Sequence, residues 1–141
     1  KLTPLHASGV TGKFLSAALS KTPITLYGDG SQGIDFVHID DLIKVIEHLI
    51  RNPDKDIPRA LNVGAGSATS IRNLAETYQR EAQETRGYTV PILYEKNPPK
   101  EKMWPTRYVS NERLKKIFPW FPSVTLSEGV REMLQYAKEH A

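Results

Sequence analysis

With 141 residues, 39% of them hydrophobic and 25% charged, the sequence can form a single folded core, and it contains no apolar run near the ~20 residues of a membrane-spanning helix. Its formal charge of +3 comes from lysines and arginines spread along the chain without a basic block, so neither nucleic acid nor a membrane is indicated as a partner. The absence of cysteine excludes a disulfide, a thiolate nucleophile and a zinc–cysteine site, and fits a reducing, cytoplasmic setting.

Residues 1–8 show no periodicity and read as a loop; the first methionine is Met103, so Lys1 is not expected to be a translation start and residues are expected to precede it. From Gly9 to Leu19, the apolar residues Val10, Phe14, Leu15, Ala18 and Leu19 recur at helical spacing, with Ser8 as the candidate N-cap. Gly12-Lys13 is spelled like the end of a phosphate-binding P-loop. That motif needs glycine where Ala7 stands and Ser or Thr where Phe14 stands, and is rejected.

The stretch from Thr25 to Asp41, Thr-Leu-Tyr-Gly-Asp-Gly-Ser-Gln-Gly-Ile-Asp-Phe-Val-His-Ile-Asp-Asp, organises the chain. Strands are predicted over Ile24–Tyr27 and Asp35–His38 on either side of a glycine-rich turn. Asp40 or Asp41 then opens a helix with Leu42, Val45, Ile46, Leu49 and Ile50 on one face, expected to be buried, and Pro53 ends it. Gly28, Gly30 and Gly33 spell a G-x-G-x-x-G dinucleotide fingerprint, but the third glycine of a true fingerprint runs into a helix, and Ile34-Asp-Phe-Val is strand-like. The glycines are assigned to turn positions with positive φ. His38, Asp40 and Asp41 contain metal-ligating atoms, but a carboxylate at a helix start already has a capping role, and no metal site is assigned.

A third strand is predicted over Ala60–Val63, followed by Gly64-Ala-Gly-Ser-Ala-Thr-Ser70 and a helix with Ile71, Leu74, Ala75 and Tyr78 at i, i+3, i+4 and i+7. Strand, glycine-rich turn and helix N-terminus can form an anion site; the same residues also read as a turn closed by a Thr69 or Ser70 cap, which periodicity alone favours. Arg86-Gly87 ends this helix and Pro91–Tyr94 is a fourth strand. Pro98, Pro99 and Pro105 make Asn97–Pro105 an extended loop. Ser110 is the expected cap of a short helix through Phe118, and Thr125–Glu128 is a capping box opening a last helix to His140. The interleaved pattern predicts an α/β fold with a few short strands and about five helices.

Several of these segments together resemble the extended short-chain dehydrogenase/reductase family, the NAD(P)-dependent sugar-nucleotide epimerases and dehydratases of the UDP-glucose 4-epimerase kind. Tyr27–Asp41 follows the family's Tyr-Gly-Asp-Gly-Ser-Gln-Thr-Arg-Asp-Phe-Val-His-Val-Asp-Asp at most positions. Asn62-Val-Gly-Ala-Gly before Thr69-Ser-Ile is similar to the family's Asn-x-Gly-x-Gly and Thr-Ser-Ile, and Leu114–Gly129 resembles its closing Leu-Gly-Trp, Pro and Leu-x-Glu-Gly pattern. The resemblance implies the C-terminal substrate-binding portion of a Rossmann-type fold, with residues 1–141 as a single substrate-binding domain and the N-terminal dinucleotide-binding half outside the sequence.

Family catalysis depends on a Gly-x-x-Gly-x-x-Gly half and on a Tyr-x-x-x-Lys pair. None of Tyr27, Tyr78, Tyr88, Tyr94, Tyr108 or Tyr136 has a lysine four residues on, so no catalytic or cofactor-binding residue is assigned. NAD is implied for the parent enzyme and not for this chain alone. The implied partners are a nucleotide-sugar substrate and the missing Rossmann half; strand Ala60–Val63 and helix Leu42–Ile50 suit packing against that absent layer, so the chain is expected to expose an apolar edge and self-associate.

Substrate contacts are implied at Thr25 and Tyr27, which border the base, and at Ile71 near it. Ile34 stands where members usually carry an arginine directed at the diphosphate, Lys100 where they carry a second one, and Met103 where they carry an acid. Lys100, Lys102 or Arg107 could compensate from the loop. A charge-assisted hydrogen bond contributes about 1.5–3 kcal/mol, so one lost contact weakens diphosphate binding roughly ten- to a hundredfold. Three readings follow: the substrate-binding part of an epimerase or dehydratase, inactive alone; a degenerate binding or interaction module; or a relative acting on a non-nucleotide substrate, for which Ile34 costs less.

Overall fold

Helices form where apolar residues recur at steps of three and four, and a computed structural model describes them over residues 9–53, 56–96 and 105–139. The elements are α1 (Gly9–Ser20), β1 (Ile24–Tyr27), β2 (Gly33–Ile34), α2 (Ile39–Arg51), β3 (Thr69–Ser70), α3 (Ile71–Arg86), β4 (Ile92–Glu95), α4 (Glu112–Ile117) and α5 (Leu126–Glu139). The chain divides into two compact units, one drawn from Lys1–Gln32, Ser70–Trp104 and Leu126–Ala141, the other from Gly33–Thr69 and Pro105–Thr125. Among the described residues no helix is long and apolar enough to cross a membrane. The proposed Ser8 cap lies outside the described residues.

The first unit is built around α3. Ser70, in extended backbone, accepts the Asn73 N–H on Oγ at 3.0 Å, and Gly87 closes the other end at φ 74°, where a side chain would be strained. Between these caps Ile71, Leu74, Ala75, Tyr78 and Ala82 are buried. They pack with Phe14, Leu15 and Ala18 of α1 and with Val130, Leu134 and Ala137 of α5. The Tyr78 hydroxyl donates to the Thr11 carbonyl at 3.0 Å, and burial pushes its pKa up. Buried Glu81 accepts from Arg131 Nε at 2.8 Å, joining α3 to α5. β1 and β4 pair in parallel from Ile24 opposite Ile92 to Tyr27 opposite Glu95, with Ile24 and Leu26 turned into the core. The fourth strand is thus displaced by one residue from Pro91–Tyr94, since Pro91 has no N–H for a ladder.

In the second unit, Val45, Leu114 and Trp120 form a core that Val37, Leu49, Leu61, Val63 and Phe118 pack against. α2 starts earlier than expected. Its N-cap is His38, whose Nδ1 accepts the Asp40 N–H at 3.3 Å. Asp41 is instead buried and gathers the segment after α4, accepting the N–H groups of Ser123 and Val124 at 2.9 Å each, the Ser123 hydroxyl at 2.7 Å and Lys44 Nζ at 3.0 Å.

Three further expectations are corrected. Asp35–His38 and Ala60–Val63 are not strands; the short ladder is β2 with β3. Val37, Leu61 and Val63 within these segments pack against the core, but among the described residues no neighbouring strand pairs with them. The expected α2 face is not buried as a whole: Val45 is, Leu42 and Leu49 are half-buried, and Ile46 and Ile50 are exposed, because this small core covers only the Val45 side of the helix. Ser110 stands one residue before the N-cap position, which Asn111 occupies with its side chain turned away to Gly64, and from there Ser110 Oγ accepts the Glu112 N–H, the first of α4, at 3.4 Å.

Candidate functional site

Three segments of the second unit meet on two polar side chains. The Asp35 carboxylate accepts the N–H groups of Ala65 at 2.6 Å, Gly66 at 3.1 Å and Val109 at 3.2 Å. From the other side the buried Asn111 amide accepts the Gly64 N–H at 3.1 Å and donates to the Gly64 carbonyl at 2.6 Å. Gly64 is required here: a Cβ would fall deep inside the contact distance of Val109 Cγ2 and 2.7 Å from Asp35 Oδ2. Each buried amide is satisfied, so the frame is rigid without a long ladder.

That frame presents Ile34 and Arg107 together. The two residues form an isolated parallel bridge, Arg107 N–H donates to the Gly33 carbonyl at 3.1 Å, and Gly33 N–H donates to Thr106 Oγ1 at 3.0 Å. Residues paired across a ladder emerge on one face. A half-buried isoleucine and an exposed arginine therefore share a surface, where the planar guanidinium can donate two hydrogen bonds to a phosphate or carboxylate.

In the first unit, β1 runs into a turn in which Gly28 and Gly30 have φ of 68° and 70°. The Asp29 side chain accepts the Ser31 N–H at 2.9 Å, which with the Ser31 hydroxyl holds its carboxyl below the usual range. Arg72 grips the same turn, donating from Nε to the Asp29 carbonyl at 2.8 Å. The first amides of α3 are all engaged: Ile71 N–H donates to Gln32 O and Arg72 N–H to Gly30 O at 2.9 Å each, and Asn73 N–H to Ser70 Oγ at 3.0 Å. This helix start is a capped turn with its donors occupied, which decides between the two readings of Gly64–Ser70.

The glycines do not build a dinucleotide cradle, because Gly33 enters β2 and not a helix; as a strand residue it also lacks the positive φ expected of all three glycines, which only Gly28 and Gly30 adopt. With no Tyr-x-x-x-Lys pair in the sequence either, the residues present do not fit NAD. Among the described residues no cluster of His, Asp and Glu could hold a metal ion; His38 Nδ1 is engaged in its cap and Asp41 with residues 123 and 124.

Of the residues singled out from sequence, Thr25 is exposed at the middle of β1, and Tyr27, two residues on, is half-buried on the same strand face. Ile71 is buried in the α3 core. These three belong to the first unit, Ile34 and Arg107 to the second, and Lys100 and Met103 lie outside the described residues. Asp35 and Asn111 escaped sequence reading. Asp35 lies inside the Tyr27–Asp41 motif and could have been noticed there, whereas nothing local distinguishes Asn111.

Residues 3–64 match the sequence profile described as the NAD dependent epimerase/dehydratase family. A putative UDP-glucose 4-epimerase of Methanocaldococcus jannaschii is 26% identical over 137 residues, covering 97% of this chain and 41% of its own length. Among solved structures, the UDP-glucose 4-epimerase of Thermotoga maritima with UDP-glucose superposes with a TM-score of 0.74 at 23% identity, over 98% of this chain and 42% of that one. The UDP-glucuronic acid 4-epimerase of Bacillus cereus, with UDP-glucuronic acid and NAD, gives 0.73 at 21%, over 95% and 41%. This chain thus spans about two fifths of the length of the relatives it matches. Its α/β architecture is shared with these Rossmann-type structures, and its sequence is similar over nearly its whole length to sugar-nucleotide epimerases, with residues 3–64 matching the NAD dependent epimerase/dehydratase family.

Proposed function

We propose that this chain is the substrate-binding part of an NAD(P)-dependent sugar-nucleotide epimerase or dehydratase, with residues 1–141 acting as one binding domain that gives no turnover alone. The observation that carries the reading is the match to a protein named as a UDP-glucose 4-epimerase over 97% of this chain, in a sequence with no tyrosine–lysine pair. In this reading Thr25 and Tyr27 border the base, Ile71 supports that side from the core, and Arg107 and Lys100 meet the diphosphate, with Ile34 beside it. NAD belongs to the dinucleotide-binding half, and the assembled enzyme works in the cytoplasm.

Titration calorimetry with UDP and UDP-glucose tests this. Both are expected to bind the folded chain, and absence of heat from either would sink the reading. Ile34→Arg restores a guanidinium fork and is expected to tighten UDP roughly ten- to a hundredfold; an unchanged affinity would remove Ile34 from the diphosphate site.

Ile34 also favours a second reading, in which the same fold serves a substrate without a nucleotide, because an apolar residue there suits an uncharged group. Binding of free UDP argues against it.

A further inference from the structure

Arg107 is exposed, yet the backbone on both sides of it is held. The Gly33 N–H donates to Thr106 Oγ1 at 3.0 Å, the Arg107 N–H donates back to the Gly33 carbonyl at 3.1 Å, and the Val109 N–H donates to Asp35 Oδ2 at 3.2 Å, with Ile34 bridged to Arg107 between these contacts. The approach is close: a Cβ on Gly33 would stand 2.9 Å from Ala68 Cβ and 3.0 Å from Thr106 Cγ2. Asp35 is itself fixed, because the same carboxylate accepts the Ala65 and Gly66 N–H groups.

Core packing does not account for these restraints. Thr106, Arg107 and Tyr108 are all exposed, and the apolar cluster around Val45, Leu114 and Trp120 includes none of residues 105–109. A guanidinium fork does gain from them. It meets two oxygens of an anion only when held within about 0.5 Å and 10–20° of the right geometry, and an arginine whose backbone is already ordered loses less entropy on binding.

We infer that Asp35 and Thr106 are positioning residues, which touch no substrate and act through Arg107, holding its backbone from either side so that the guanidinium stands ready beside Ile34 for the anionic group of the substrate. The inference rests on the proposed reading of this chain as a substrate-binding part, and adds to it the two residues on which the Arg107 contact depends. Asp41 is the contrasting case in the same unit. Its carboxylate also gathers two amides, those of Ser123 and Val124, but at a segment that carries no arginine.

A double-mutant cycle over Asp35→Asn and Arg107→Ala, read as UDP affinity by titration calorimetry on the 141-residue chain, tests this. Each single change is expected to weaken UDP roughly tenfold, and the pair also roughly tenfold, since Asp35 has nothing left to position once the guanidinium is gone. A loss of roughly a hundredfold in the pair, the product of two independent effects, overturns the inference. Thr106→Val, which removes the acceptor of the Gly33 N–H at an exposed site and keeps the side-chain shape, takes the place of Asp35→Asn if that variant does not fold. Asp41→Asn is the control: it is expected to lower the urea midpoint and leave the UDP affinity of the folded chain unchanged. Equal weakening by Asp41→Asn and Asp35→Asn also overturns the inference, because the loss would then follow stability alone.

Amide exchange at Arg107 is the second measurement, and it needs no substrate. Asp35→Asn is expected to speed it while leaving the amides of α3, in the other unit, unchanged. Unchanged exchange at Arg107 overturns the inference whatever the binding. UDP binding with independent effects in the cycle therefore sinks the positioning alone, and faster Arg107 exchange in a chain that binds no UDP sinks the proposed function alone.

Discussion

Asp41 is the residue whose chemistry is most committed to the fold. Burial opposes its ionisation, but the Val124 N–H, the Ser123 hydroxyl, Lys44 and the Ser123 N–H outweigh that cost and hold the carboxyl well below the ordinary range. A depressed folded-state pKa stabilises the fold fully above the unfolded value of about 3.9, and the contribution fades as pH falls through that value toward the folded one. Stability should therefore drop on acidification below about pH 5. Asp41→Asn should cost about 2–3 kcal/mol near neutrality and flatten that slope, as read from urea midpoints across the acid range. An unchanged slope would mean that Asp41 is not the titrating staple. Gly64→Ala is the complementary steric test: the methyl group meets Val109 and Asp35, and about 1–3 kcal/mol should be lost. Val109→Ala should recover part of that loss in thermal melts, and a melt unaffected by Gly64→Ala would refute the close approach.

At the scale of elements, α1, α3 and α5 were legible because their apolar periodicity and end signals are local. Ser70 before Ile71 and Gly87 after Arg86 announce α3 in the sequence and cap it in the structure. Ser70→Ala is expected to cost about 1 kcal/mol and to speed amide exchange at Asn73; no change at Asn73 would show that another acceptor serves it. The predicted strands over Asp35–His38 and Ala60–Val63 fail for a physical reason. Alternation says which side chains face a core, and Val37, Leu61 and Val63 do face one. It does not say whether a second backbone lies at ladder distance. At Asp35, instead, a side chain gathers the amides of Ala65, Gly66 and Val109. The frame under Ile34 and Arg107 is assembled from residues 30 to 74 positions apart, beyond the reach of any periodic signal.

For the whole molecule, composition and motif spelling were sufficient for the α/β class, the five helices of the described residues, the first strand, the turn at Gly28 and Gly30, and the family resemblance, through the long match from Tyr27 to Asp41. These properties are local: a helix face, a positive-φ glycine and a contiguous motif are all written in neighbouring residues. The partition into two units, the pairing of the Ile71 and Arg72 amides with Gln32 and Gly30, the clamp of Asp35 and Asn111 on Gly64–Gly66, and which of the α2 side chains stay exposed emerged only in three dimensions. The reason is that burial and amide pairing depend on what lies across from a residue and not on what lies beside it. The hydropathy of α2 marks several apolar side chains, and it is the small core around Val45, Leu114 and Trp120 that determines which of them stay exposed.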